Sequence, residues 1–124
     1  MDPDACNAQW RKIWARFMVG VDWQGLETES MTRWQRQAHI LTSPFYYVEY
    51  GIAQLGALQV WANAKANKAA AFQDYQQALA LGGSRPLPEL FATAGCPFDF
   101  SANTVKPLMQ LVQTELAKLN EPRR

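Results

Sequence analysis

An all-α fold is the architecture this sequence predicts, on three observations. Apolar residues recur three and four apart in several segments, the spacing of one helix face. No segment alternates apolar and polar residues as a half-buried strand does. Gly20, Gly82 and Gly95 sit where periodic segments stop, the places a helix end uses glycine. The expectation is a single helical domain over 1–124: a bundle of about five helices around a central buried one.

The elements follow in order. Residues 4–19 carry Trp10, Ile13, Trp14, Phe17 and Met18 on one stripe, with Arg11, Lys12 and Arg16 off it. Asp2 or Asp4 can cap this helix, and Pro3 suits a first turn. Trp23 in the next connection reads as an aromatic anchor. A second helix begins at Thr28 or Ser30, with Met31, Trp34 and Ala38 on its apolar side. Ser43-Pro44 breaks it, because proline disfavours helix in the residue before it. A long helix then runs from the proline to about Ala66. Its apolar residues go nearly all the way round, the mark of a buried helix. Gly51, Ala53, Gly56 and Ala57 would let neighbouring helices come close. Glu49, a carboxylate amid Tyr47, Val48, Tyr50 and Ile52, needs a partner if it is buried.

Asn63–Asn67 ends or kinks that helix. Ala69–Leu81 follows, with Phe72, Tyr75 and Leu79 on one side, then a short helix within Pro86–Ala94. Cys96–Phe100 is a loop with two aromatic anchors. Ser101 or Thr104 caps a last helix bearing Val105, Leu108, Leu111, Val112, Leu116 and Leu119 at helical spacing. Pro107 favours the later start. The tail Glu121–Arg124 is expected to fray.

Composition removes several classes of function. Of 124 residues, 48% are hydrophobic, enough for a core. The formal charge is only +1, with basic residues scattered, so nothing argues for nucleic acid or an anionic membrane. The apolar stretch Gly51–Ala62 is interrupted by Gln54 and Gln59 and is too short to span a bilayer. The polar, acidic start is unlike a signal peptide, and two cysteines make no disulfide framework, although one bond between Cys6 and Cys96 is possible. A reducing cytoplasm is the expected location.

One histidine and two cysteines do not supply the three or four converging ligands of a zinc site, and no H-E-x-x-H is present. A Cys96–His39 nucleophilic pair has little support, since Cys96 lies in a structural loop. The stronger chemistry lies in His39–Trp61, which holds the sole histidine and three of the four tyrosines. Tyr46 and Tyr47 fall near Tyr50 at helical spacing. A histidine and neighbouring phenols can donate hydrogen bonds to an oxygen gaining negative charge. By spacing alone the favoured reading is that these are core aromatics whose hydroxyls find partners.

The run H-I-x-x-x-P-F-Y-Y-x-E-Y-G-I-A-Q-L-G-A-L-Q resembles the corresponding stretch of oligoendopeptidase F-type zinc metallopeptidases, relatives of thimet oligopeptidase. The likeness extends upstream through RFMVGVDWQGLE and WQRQAHI, and downstream through YQQALALGGSRPLPELFATAGCPFDFS. It implies the C-terminal part of an all-helical catalytic domain that cleaves short peptides in a deep channel. The family binds zinc through H-E-x-x-H and a later glutamate, upstream of the matched region, so the resemblance implies no cofactor in this chain. It also implies that His39, with Tyr46, Tyr47 and Tyr50 as candidate phenols, binds substrate and stabilises the oxyanion.

The expectation is therefore a chain that is inactive alone: a fragment, a split gene product or a degenerate copy. Its partners would be short peptides or a missing N-terminal catalytic portion, with a homodimer through exposed apolar faces. The alternative is a stand-alone helical module that binds a peptide or protein.

Overall fold

The computed structural model describes residues 2–120, and Glu121–Arg124 lie outside the described residues. It is all-α: seven α-helices and one 3-10 turn, with no strand among the described residues. The chain divides into two compact units, one running to Val48 and the other starting at Glu49.

The first unit is built on α1 (Pro3–Phe17), α2 (Glu27–Thr32), a 3-10 turn (Arg33–Arg36) and α3 (Ala38–Thr42). Asp2 caps α1, its carboxylate accepting the Asp4 N–H at 3.0 Å, and Pro3 occupies the first turn, where its missing N–H costs nothing. Tryptophans hold the unit together. Trp14 stacks on Trp10 at 5.4 Å between centroids, and Trp23 meets Trp14 edge-on at 5.5 Å, so the loop anchor works as expected. The Arg33 guanidinium lies over the Trp14 ring. Trp34 donates its indole N–H to Asn7 Oδ1 at 2.8 Å.

The expected second helix is interrupted before the proline. The Trp10 indole N–H bonds the Ser30 carbonyl at 3.0 Å, the acceptor an unbroken helix would offer to Trp34. The chain tightens into the 3-10 turn there, with Gln37 N–H on the Trp34 carbonyl, and Gln37 leaves helical geometry before α3 begins. Docking of the tryptophans thus competes with the backbone ladder.

The second unit contains α4 (Val48–Ala66, its first residue closing the first unit), α5 (Lys68–Leu81), α6 (Leu87–Thr93) and α7 (Ala102–Asn120). The long helix starts four residues later than Pro44 suggests, because Ser43–Tyr46 forms a turn of its own, with Tyr46 N–H on the Ser43 carbonyl at 3.1 Å. Asn67 alone links α4 to α5; its side chain accepts the Ala70 N–H and caps α5. Asn63 crosses from α4 to bond the Gly95 carbonyl at 2.9 Å. Phe91, Phe98 and Phe100 form an edge-to-face chain, so both aromatics of the CPFDF loop pack as anchors. Lys65 on α4 pairs with Glu115 on α7 at 2.8 Å.

α7 begins at Ala102, not at Thr104. Asp99 organises this start: its carboxylate accepts the Ser101 N–H and hydroxyl and the Thr104 hydroxyl. Those bonds fix the first turn ahead of Pro107, which is carried inside the helix. Glu49 is not buried, so the need for a buried partner does not arise. Glu49 is exposed in the first turn of α4, where water solvates it and the helix N-terminus favours a carboxylate.

α4 is apolar nearly all round, yet its only buried residue is Gln59, which is 5% exposed. Neither the amide nitrogen nor the oxygen of Gln59 has a hydrogen-bond partner among the described residues. Ala71, Cys96 and Leu108 are the buried hydrophobic residues among those described. Phe72, Leu79, Leu116 and Leu119 all stand more than half exposed. Within this unit α4, α5 and α6 border an apolar groove of about 560 Å³, lined among others by Ala53, Ala57, Trp61, Leu79 and Phe91.

Candidate functional site

His39 lies in the first turn of α3 and is half-buried. Its backbone carbonyl accepts the Ser43 N–H at 3.0 Å, closing the helix just before Pro44. The chain then reverses through Ser43–Tyr46 and returns two tyrosines to the imidazole. Tyr46 stacks on His39 with ring centroids 5.1 Å apart and planes 14° apart. Tyr47 meets the same ring edge-on at 5.4 Å and 81°. One ring thus covers the face of the imidazole and the other crosses it nearly at right angles, the two arrangements aromatic groups favour. Tyr47 also donates its hydroxyl proton to Gln37 Oε1, tying the cluster to the residue that precedes α3.

Three of the four residues singled out in the sequence therefore belong to the first unit, and His39, Tyr46 and Tyr47 are brought together. Tyr50 belongs to the second unit, in the first turn of α4, and half its surface is exposed. Helical spacing suggested that Tyr46 and Tyr47 share a helix with Tyr50. Instead both precede α4, and the turn aims them back at His39. Gln37 was not legible as a site residue; its role depends on the chain reversal, which no spacing rule encodes.

Cysteine chemistry finds no support. Cys6 and Cys96 are free thiols, and Cys96 is 3% exposed. Burial pushes the Cys96 thiol above the ordinary range, which opposes the thiolate a nucleophile needs. Among the described residues no three His, Cys, Asp or Glu side chains converge on a common point, so the residues present do not fit a zinc site. No helix among them is long and apolar enough to cross a membrane.

An all-helical chain with a histidine held between two tyrosines, and no metal-binding set among its described residues, is the class of object the fold defines. The chain belongs to peptidase family M3, whose family model matches residues 1–110. The His39–Tyr46–Tyr47 cluster and the α4–α6 region both fall inside that match. Searches of curated proteins and of solved structures returned no match.

Proposed function

We propose that this chain is the C-terminal portion of an oligoendopeptidase F-like catalytic domain and supplies the wall of its peptide channel that binds substrate and stabilises the oxyanion. The observation that carries this reading is the ring cluster. His39 is held in one orientation by Tyr46 on its face and Tyr47 at its edge. Preorganised donors are what oxyanion stabilisation requires, because a donor that must reorient during reaction loses most of its worth. His39 and Tyr46 act as donors to substrate oxygens. Tyr47 acts mainly as a positioning group, since its proton is directed at Gln37. Tyr50 is the further candidate donor.

In the full-length family, bound zinc supplies Lewis-acid chemistry and an activated water. This chain does not carry residues for it, so peptide hydrolysis needs a second polypeptide portion bearing H-E-x-x-H. Alone, the chain turns over no quenched-fluorescent peptide, even with added zinc. Turnover that a chelator abolishes would overturn this. With the missing portion added, turnover appears, and His39→Ala lowers it by roughly a hundredfold. An unchanged rate would remove His39 from the site.

The exposed apolar residues of the second unit support association, which we propose as a homodimer when the catalytic portion is absent. A monomer by light scattering at high concentration would count against it. Two free thiols fit the proposed cytoplasmic location.

The apolar α4–α6 groove favours a second reading, a helical module that binds a peptide or protein without catalysis. Gene context separates the two. A neighbouring frame ending soon after an H-E-x-x-H supports the split enzyme, and an isolated frame supports the module.

A further inference from the structure

Five residues outside helices have positive φ among those described: four are glycines, and the fifth is Phe45, at φ 66°. Phe45 is the third residue of the Ser43–Tyr46 turn, which is closed by the Tyr46 N–H on the Ser43 carbonyl at 3.1 Å. Proline at the second position and positive φ at the third are the features of a type II turn, whose third position ordinarily takes glycine. A phenylalanine there is strained, because its Cβ crowds the backbone. Its ring is hardly buried: Phe45 is 94% exposed, more than any other large hydrophobic residue described.

The turn itself has a clear purpose, since it returns Tyr46 and Tyr47 to His39. Glycine or asparagine would make that turn with less strain. What glycine would not supply is an apolar ring displayed directly before Tyr46. We infer that Phe45 is a substrate-specificity residue, which receives an apolar side chain of a peptide bound at the His39–Tyr46–Tyr47 cluster. The inference rests on the proposal that this cluster binds peptides, and it adds which peptides are preferred. Phe45 is apolar and directly precedes Tyr46 of the donor cluster in the chain, so it matches a ligand with a hydrophobic side chain next to a backbone carbonyl.

The test titrates the full chain with blocked pentapeptides, glycine throughout except for a central glycine, asparagine, leucine or phenylalanine. Binding is followed by chemical-shift changes. Wild type binds the leucine and phenylalanine peptides about tenfold more tightly than the glycine peptide. Phe45→Gly and Phe45→Asn, both compatible with positive φ, bring that ratio close to one, and their thermal midpoints equal or exceed that of wild type. A preference that survives in both variants overturns the inference, as does binding by wild type with no preference. A lowered midpoint in both variants also overturns it, by showing that the ring supports this chain's own fold. If no peptide binds to wild type, the peptide-binding reading of the cluster falls together with it.

Discussion

The imidazole of His39 lies almost parallel to the ring of Tyr46, 5.1 Å away, although six residues and a proline turn separate them in the chain. Such a stack is worth about 0.5–1.5 kcal/mol beyond the area it buries. Tyr46→Ala is expected to lower the stability of the first unit by about that much in urea denaturation. Tyr46→Phe keeps the ring and costs less. Equal losses would show that the hydroxyl, not the stack, holds the pair.

Gly56 and Gly51 are expected to respond in opposite directions to alanine. A Cβ on Gly56 would meet the Phe91 ring at 2.9 Å, and Phe91 is itself held edge-on by Phe98. Overpacking of this kind costs about 1–3 kcal/mol, against which alanine's better helix propensity returns about 1 kcal/mol. Gly56→Ala is therefore net destabilising. At Gly51 no described atom beyond its chain neighbours and its own helix backbone lies within 4 Å of the added carbon, so Gly51→Ala stabilises by up to about 1 kcal/mol. Thermal melts of the two variants, measured side by side, check the sign of each.

Asp99 makes the stability of α7 depend on acid. The Thr104 hydroxyl, then the Ser101 hydroxyl and N–H, hold its carboxyl below the ordinary carboxylate range. A carboxyl lowered in the folded state contributes stability that is present above its unfolded pKa, about 3.9, and lost as pH falls through the folded value. Asp99→Ala is expected to lower the melting midpoint at neutral pH. The gap from wild type should narrow as pH drops from about 4 downward. A gap independent of pH would mean the loss is one of packing rather than of charge-assisted hydrogen bonds.

The two thiols should be kinetically distinct. Cys6 is half-buried on α1, whereas Cys96 is sealed and its thiol is pushed upward by desolvation. At mildly alkaline pH a thiol reagent should label Cys6 first, and Cys96 only when denaturant is added. Comparable rates in the native chain would show that the Cys96 loop opens readily.

Much of the fold is legible in residue order because helices are local. The stripe Trp10–Ile13–Trp14–Phe17 shows α1, and the break at Asn63–Asn67 and the stop at Gly82 bound α5 closely. These signals depend on residues within a turn or two of one another. Where a distant group intervenes, residue order misleads. Trp10 reaches Ser30 and splits the expected second helix, and Asp99 sets the start of α7 despite Pro107. Glu49 shows the same limit in another form. Apolar neighbours in sequence made it look buried, but burial depends on what packs over a helix, and the Glu49 side chain stands exposed.

The sequence by itself determined that the chain is helical, that it resembles an oligopeptidase, and that His39 and three tyrosines are the residues to watch. Its peptidase M3 membership bears out the family resemblance. Only the tertiary structure decided which of those residues meet. Tyr46 and Tyr47 reach His39 because the backbone reverses at Phe45 with a positive φ, and Tyr50 belongs to the second unit, which begins at Glu49. The physical reason is that helical periodicity is set by hydrogen bonds four residues apart. A reversal that brings rings together across a proline is set by one strained residue and the contacts it makes possible.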